Sequence, residues 1–375
     1  MKNILLLGAG KIGIIISDLL ANCGDYLVTV GDTNQDNLNR LTKHANIIPL
    51  KLDVTNSQDL QMAMDGKFAA LSACPFHITQ YVAEAAALNG VHYLDLTEDV
   101  ACTKLVKELA KTANCALIPQ CGLAPGFITI AAYDLAMKFD KLQNVHMRVG
   151  ALPKYPSNAL KYNLTWSTDG LINEYCNPCE AIVEGKFTQV LPLEELETFA
   201  LDGISYEAFN TSGGLGTLCE TLAGKVDSLN YRSVRYPGHR DIMKMLLQDL
   251  RLREHQSLFK EILEFSLPLT YQDVVLVFIT VSGYRNGQLI QESYANKIYS
   301  QTINDKQWSA IQITTAAGIC TVLDLLAEGK IPQKGFVKQE DISFDSFINN
   351  RFGRYYSKPQ ALETSNSSVF GSQAA

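Results

Sequence analysis

The chain has 375 residues, 47% of them hydrophobic and 19% charged, which is enough apolar material for a globular core and, at this length, for two domains. Its formal charge of −7 is spread along the sequence with no lysine or arginine stripe, which argues against nucleic acid as a partner. There is no run of eighteen uncharged apolar residues, and the apolar stretch at 4–7 is too short for a signal peptide, so a soluble, cytoplasmic protein with no membrane contact is expected.

Over the first third, β-branched runs alternate with helical stretches. Residues 4–7, 27–30, 47–50, 69–72, 93–96 and 116–119 read as strands, and 11–22, 34–43, 60–64, 77–88 and 103–112 as helices. That rhythm predicts an α/β fold with a doubly wound parallel sheet of Rossmann type. After Gly126 the alternating runs lengthen, as at 145–149 and 274–280. The turn Arg285-Asn286-Gly287 followed by an alternating run at 288–299 reads as a hairpin. These features predict an α+β domain built on an open mixed sheet. Residues 308–328 read as a long helix of small and apolar residues that packs back on the first domain, making the Rossmann domain discontinuous. The expected division is therefore 1–128 for dinucleotide binding, 129–307 for substrate binding and dimerisation, 308–357 for the helical return, and 358–375 for a polar, serine-rich tail expected to be disordered. The nine cysteines are scattered; Cys176 and Cys179 form one C-x-x-C with no second half, so reduced thiols and no metal site are expected.

Gly8-Ala9-Gly10-Lys11-Ile12-Gly13 lies between the first strand and the first helix, the context a dinucleotide fingerprint requires. The glycines allow a tight turn, close approach of the pyrophosphate and close helix–strand packing, while free N–H groups at the helix start meet the phosphates. Asp32 closes the second strand, where a carboxylate accepts from the ribose hydroxyls and repels a 2′-phosphate, so NAD is the expected cofactor. Ligands in such sheets sit beyond the carboxyl ends of the strands. Asp53 and Val54 are therefore candidates to flank the adenine. Ala73-Cys74-Pro75, Asp95 and Leu96 are candidates for the ribose and nicotinamide side.

Five further motifs run in order: Leu94-Asp95-Leu96-Thr97, Gly122-Leu123-Ala124-Pro125-Gly126, Thr165-Trp166-Ser167-Thr168-Asp169-Gly170-Leu171, Phe209-Asn210-Thr211-Ser212-Gly213-Gly214 and Val234-Arg235-Tyr236-Pro237-Gly238-His239. With them the chain resembles the saccharopine dehydrogenase-like family, in particular the reductase branch that includes L-lysine 6-dehydrogenase. The resemblance implies a discontinuous Rossmann domain, an α+β substrate and dimerisation domain, a homodimer, and hydride transfer at the carbon bearing the ε-nitrogen of lysine or of a lysine adduct. Fungal saccharopine reductases of this family place an arginine near the end of the second strand and an aspartate in the Gly-Leu-x-Pro-Gly turn. Here Gly31-Asp32 and Ala124 stand in those places, which tilts the reading toward an NAD-dependent lysine 6-dehydrogenase. Saccharopine and carboxynorspermidine reductases remain the nearest alternatives, and a dinucleotide-binding regulator without turnover is the alternative of a different class.

Amine oxidation needs a base for the substrate ammonium. Glu98, beside Thr97 at a strand end, is one candidate; Thr97, Glu98 and Asp99 as the cap of the next helix is the other reading of the same residues. An amino-acid carboxylate calls for an arginine fork, for which Arg235 is the first candidate and Arg232 the second, a structural role for Arg235 staying open. His239 is a candidate proton shuttle, and Lys161 a base if burial lowers its pKa. Thr97, Tyr162, Trp166 and Asn210 are candidates to shape the substrate side, and Gly213, Gly214 and Gly216 suit either close backbone approach or a plain turn.

Overall fold

A computed structural model describes residues 1–357; the stretch expected to form a disordered tail lies outside the described residues. Strands β1 (Lys2–Leu7), β2 (Tyr26–Asp32), β3 (Ile47–Lys51), β4 (Ala69–Ser72), β5 (His92–Asp95) and β6 (Ala116–Ile118) alternate with helices α1 (Lys11–Asn22), α2 (Gln35–Asn39), α3 (Ser57–Met64), α4 (Phe76–Asn89) and α5 (Val100–Ala110). The strands pair in parallel in the order β6-β5-β4-β1-β2-β3. The order reverses between β1 and β4, which opens a crevice at their carboxyl ends. Nearly continuous apolar runs, such as Ile4, Leu5, Leu6 and Leu7, all fully buried, suit a sheet covered by helices on both faces.

Helix α6 (Phe127–Ala136) leads into the second sheet. Strands β7 (Lys141–Pro153), β8 (Cys179–Val183), β9 (Lys186–Val190), β10 (Glu197–Leu201), β11 (Ile204–Asn210), β12 (Ser228–Arg235), β13 (Asp273–Arg285) and β14 (Gln288–Tyr299) are joined by α7 (Thr168–Cys176), α8 (Leu218–Leu222), α9 (His239–Lys244) and α10 (Gln256–Ser266). The order along the sheet is β10-β11-β12-β7-β13-β14, with β8 and β9 paired off β12. Only β12 and β7 run parallel there; the other pairs are antiparallel. The hairpin between β13 and β14 turns at Asn286 and Gly287, both at positive φ, as the sequence signal predicts.

Alternation sorts the two faces of this sheet. Val145, Met147, Val149, Val275, Val277 and Ile279 join the main core against α6. Leu152, Ala208, Val234, Val274 and Leu276 point the other way, under an aromatic layer of Phe199, Tyr206, Tyr236 and Phe278.

After the small pair β15 (Gln301–Ile303) and β16 (Lys306–Trp308), helix α11 (Ala310–Ala327) packs on α1, and β17 (Gly335–Phe336) adds to β6 as a seventh parallel strand. Ser309 and Gln312 form a capping box on α11, and the Asp273 carboxylate accepts from the N–H groups of Ala310 and Ile311. At its other end Asp324 accepts from Tyr26 Oη (2.6 Å), Asn350 Nδ2 (2.7 Å) and Arg351 Nη2 (2.6 Å), while Arg351 also reaches Asp25. Helix α12 (Phe344–Ile348) follows, and Phe347 packs with Tyr356 against Phe127. Among the described residues α11 has the length and apolar composition to cross a membrane, and it lies buried in this fold.

Candidate active site

At the crevice, a Cβ on Gly13 would lie 1.8 Å from the Gly8 carbonyl oxygen, so α1 starts hard against the turn. Gly10 is the opposite case: nothing lies within 4 Å of where its Cβ would be. It caps α1 with no side-chain bond and no acid in the first turn, leaving the N–H groups of Lys11 and Ile12 for an anion in that open space. Asp32 Oδ2 accepts from Ala9 N (2.8 Å) and Asn37 Nδ2 (3.2 Å), and Oδ1 from Asn34 N (2.7 Å). The carboxylate is thus held beside the glycine turn. Ala73 and Cys74 close the other side, the Ala73 carbonyl lying against Gly8, and Pro75 caps α4. Burial pushes the Cys74 thiol up to about 11, so it is a neutral wall. These residues fit a dinucleotide: a cradle with no Cβ, orphan donors and a ribose-side carboxylate converge.

Two other cofactor candidates lie elsewhere. Val54 is buried in the core under the sheet with Leu52 and Leu60. Asp95 is fully buried, and accepts from Tyr93 Oη (2.6 Å), Thr97 N (3.0 Å) and Gln120 N (2.8 Å). It ties together the ends of β5 and β6, and burial raises its carboxyl to about 6. Neither side chain is free for a cofactor. Asp53 is exposed at the end of β3 and bonded to Thr55, and Leu96 packs beside Gly122.

On the substrate side, the capping alternative resolves residue by residue. Asp99 caps α5 by accepting from Cys102 N (2.7 Å), and Thr97 Oγ1 accepts from Asp99 N (3.1 Å). The Glu98 carboxyl has neither task. It faces α7, where a Cβ on Gly170 would be 3.2 Å from Glu98 Oε1, and the backbone of Glu98 lies against Gly213. Burial raises its carboxyl to about 7, helped by Asp99 and Asp95 and opposed by its own N–H.

One helical turn beyond Gly170 comes Glu174, a residue that sequence reasoning missed. It is 7% exposed, and burial raises its carboxyl to about 8, with Arg235 and Ser233 lowering it and Glu98 raising it. Its signal was a single acid among Leu171, Ile172 and Tyr175 on a short buried helix.

Arg235 is 3% exposed. Nε donates to Tyr175 Oη (2.8 Å) and Nη1 to the Val234 carbonyl (2.8 Å), with the Tyr162 ring 5.2 Å from the guanidinium carbon. These two bonds use two of the guanidinium's five donors. Burial disfavours the charge, but Tyr175, Tyr162 and Glu174 outweigh it and hold the pKa above its ordinary value.

Several substrate candidates are displaced. Arg232 and Asn210 sit opposite one another in the β11/β12 register, on the sheet face away from Arg235. Arg232 pairs there with Glu195 (2.7 Å) and Glu197 (3.0 Å) and donates to Asn210. Strand alternation is the reason: residues three apart cannot share a face. His239 is fully buried; Nδ1 lies 2.9 Å from the Leu160 carbonyl and Nε2 3.0 Å from Tyr175 Oη. Burial and Arg235 depress its pKa to about 3, so it is a fixed neutral orienter of Tyr175 and Arg235 and not a shuttle near neutrality. Lys161 is exposed and donates to the Pro237 carbonyl (2.8 Å), so the burial its role as a base required is missing. Tyr162 accepts from Trp166 Nε1 (3.0 Å); the Trp166 ring covers Gly170 beside Glu98, and the Tyr162 ring lies beside the Arg235 guanidinium.

Residues 122–353 match the Saccharopine dehydrogenase C-terminal domain and residues 4–118 the Saccharopine dehydrogenase NADP binding domain. The alpha-aminoadipic semialdehyde synthase of mouse mitochondria is 23% identical over 196 residues, 50% of this chain and 21% of that protein. The chain thus spans about a fifth of the length of such relatives. The NADP(+), L-glutamate-forming saccharopine dehydrogenase of Saccharomyces cerevisiae is 23% identical over 302 residues, 77% of this chain and 66% of that protein. An apo structure of the yeast enzyme shares the fold, with a TM-score of 0.75 over 91% of this chain and 94% of that one at 16% identity. The two family models together cover most of the chain, which therefore belongs to the saccharopine dehydrogenase family.

Proposed function

We propose that the protein is a nicotinamide-dependent oxidoreductase acting on a C–N bond of an amino acid, and specifically that it oxidises the ε-amine of lysine with NAD. The carrying observation is the charge inventory of the site: one buried guanidinium, the buried Glu174 carboxyl near it, and the half-buried Glu98 carboxyl near Glu174. Lysine presents the complement, one carboxylate and two ammonium groups. Saccharopine, rich in carboxylates, calls for converging arginines, and Arg232 is turned to the other face.

When bound, the nicotinamide supplies the two-electron acceptor, held by the Gly8–Gly13 turn and Asp32. The chain's own groups do the rest. Arg235 holds the substrate carboxylate. Glu98, half-ionised near neutral pH, takes a proton from the ε-ammonium and frees the nitrogen lone pair. Trp166 and Tyr162 keep bulk water from the reacting carbon. Water then hydrolyses the resulting imine to the semialdehyde and ammonia. Asp32 supports NAD over NADP, because its carboxylate is fixed where a 2′-phosphate would bring like charge.

The second reading, saccharopine dehydrogenation with NADP, follows the names of the yeast relative and of the matched NADP binding domain. NADH or NADPH formation with lysine, saccharopine and carboxynorspermidine in parallel, with each reverse reaction, separates them; turnover of saccharopine but not lysine overturns the lysine reading. We also propose a homodimer through the open sheet face of Phe199, Tyr236 and Phe278, and a reducing, cytoplasmic setting for the nine free thiols.

A further inference from the structure

Arg235 on β12 and Glu174 on α7 are both more than nine-tenths buried, and each bears on the other's charge. Yet among the described residues no ion pair of 4.0 Å or less joins them: two of the guanidinium's five donors go to Tyr175 and the Val234 carbonyl, and the Glu174 carboxyl has the Ser233 hydroxyl as its hydrogen-bonding neighbour. Buried opposite charges ordinarily close into direct contact, because each has given up its water. Here the elements that carry them prevent it. Arg235 is held back by Tyr175 and the Val234 carbonyl, and Tyr175 in turn by the neutral His239. Glu174 is fixed by its helix, whose backbone carbonyls at Asn173 and Glu174 accept from Ser212. The space between them therefore has a guanidinium on one side and, on the other, a carboxyl that an entering ammonium would ionise, each with hydrogen-bonding capacity left over.

We propose that Arg235 and Glu174 form a clamp for an α-amino-acid zwitterion, with Arg235 Nη2 taking the α-carboxylate and the Glu174 carboxylate taking the α-ammonium. This rests on the amino-acid reading above and goes beyond it by assigning the α-ammonium a partner. It leaves Glu98, on the other side of Gly170, for the distal nitrogen. The site then selects an α-amino acid over an ω-amino acid of equal length, which lacks the group Glu174 holds, and over a diamine, which lacks the group Arg235 holds.

The test uses the full chain and the fluorescence of Trp166, which lies on Gly170 at the site. Lysine, 6-aminohexanoate and cadaverine are titrated into wild type, Glu174→Gln, Glu174→Asp and Arg235→Lys, with the thermal midpoint of each variant. Wild type is expected to bind lysine ~10-fold tighter than either analogue, the worth of one charge-assisted contact. Glu174→Gln should erase the preference over 6-aminohexanoate while binding of 6-aminohexanoate stays within about twofold, and Arg235→Lys should erase the preference over cadaverine. Glu174→Asp keeps the charge and should retain part of the preference, which covers the case of a misfolded glutamine variant. No wild-type preference, or equal loss for all ligands in Glu174→Gln, overturns the clamp. Turnover of lysine with either result leaves the lysine reading standing without the clamp. The binding preference without lysine turnover leaves the clamp standing and removes the lysine reading.

Discussion

Glu98 carries the proton chemistry, and its consequences can be read against pH. With a carboxyl at about 7, kcat/KM for the amine should rise as the pH climbs through neutrality. Glu98→Gln should lower kcat by ~10²-fold or more while the dinucleotide Kd stays unchanged; loss of dinucleotide binding instead would make Glu98 a structural residue. The same groups affect stability with a definite sign. Glu98 and Glu174 have folded pKa values of about 7 and about 8, above the ordinary 4.5. The stability this confers is complete below 4.5 and is lost as the pH rises through 7 and 8. Glu98→Gln and Glu174→Gln should therefore melt higher than wild type at pH 9 and at the same temperature at pH 4. Legibility at this scale was uneven. Gly10, Asp32, Glu98 and Arg235 stand out in sequence because glycine, strand-end acid and arginine each have few other reasons to be there. Arg232, offered as the second carboxylate candidate, lies on the other face because it is three positions from Arg235 on a strand. Glu174 was hidden because a buried charge looks like a surface charge until its helix is packed.

The elements themselves were largely written in the chain, α1 and the hairpin at Asn286-Gly287 most clearly, since apolar periodicity and turn chemistry are local. Several boundaries moved, such as the start of α3 and both ends of β7 and β13, and two others can be followed at their caps. Helix α2 ends at Asn39 and not near 43, with Arg40 as its C-cap, whose N–H donates to the Asn37 and Leu38 carbonyls. Helix α5 starts at Val100 because Asp99 caps it. The network at the end of α11 could not be read, as Tyr26, Asp324 and Arg351 meet only through tertiary packing. Arg351→Ala takes two hydrogen bonds from a buried carboxylate and should cost ~2 kcal/mol of stability in denaturant titration. A shift under about 0.5 kcal/mol would show Tyr26 and Asn350 to be sufficient partners.

For the whole molecule, the sheet face bearing Phe199, Tyr236 and Phe278 makes assembly a measurable expectation. Phe278→Glu, in the middle of that aromatic layer, should convert a sedimenting dimer to monomer with the cofactor site intact. A dimer that survives the charge uses another face. The return of the chain to its first domain bears on biogenesis. Helix α1 has its apolar side against α11, and β6 receives its last neighbour from β17, so a ribosome must deliver some two hundred further residues before the N-terminal domain can close its core. During that interval the nascent dinucleotide domain displays an uncovered hydrophobic flank. Release of the polypeptide before α11 emerges should yield an aggregating fragment and not a small soluble nucleotide-binding unit.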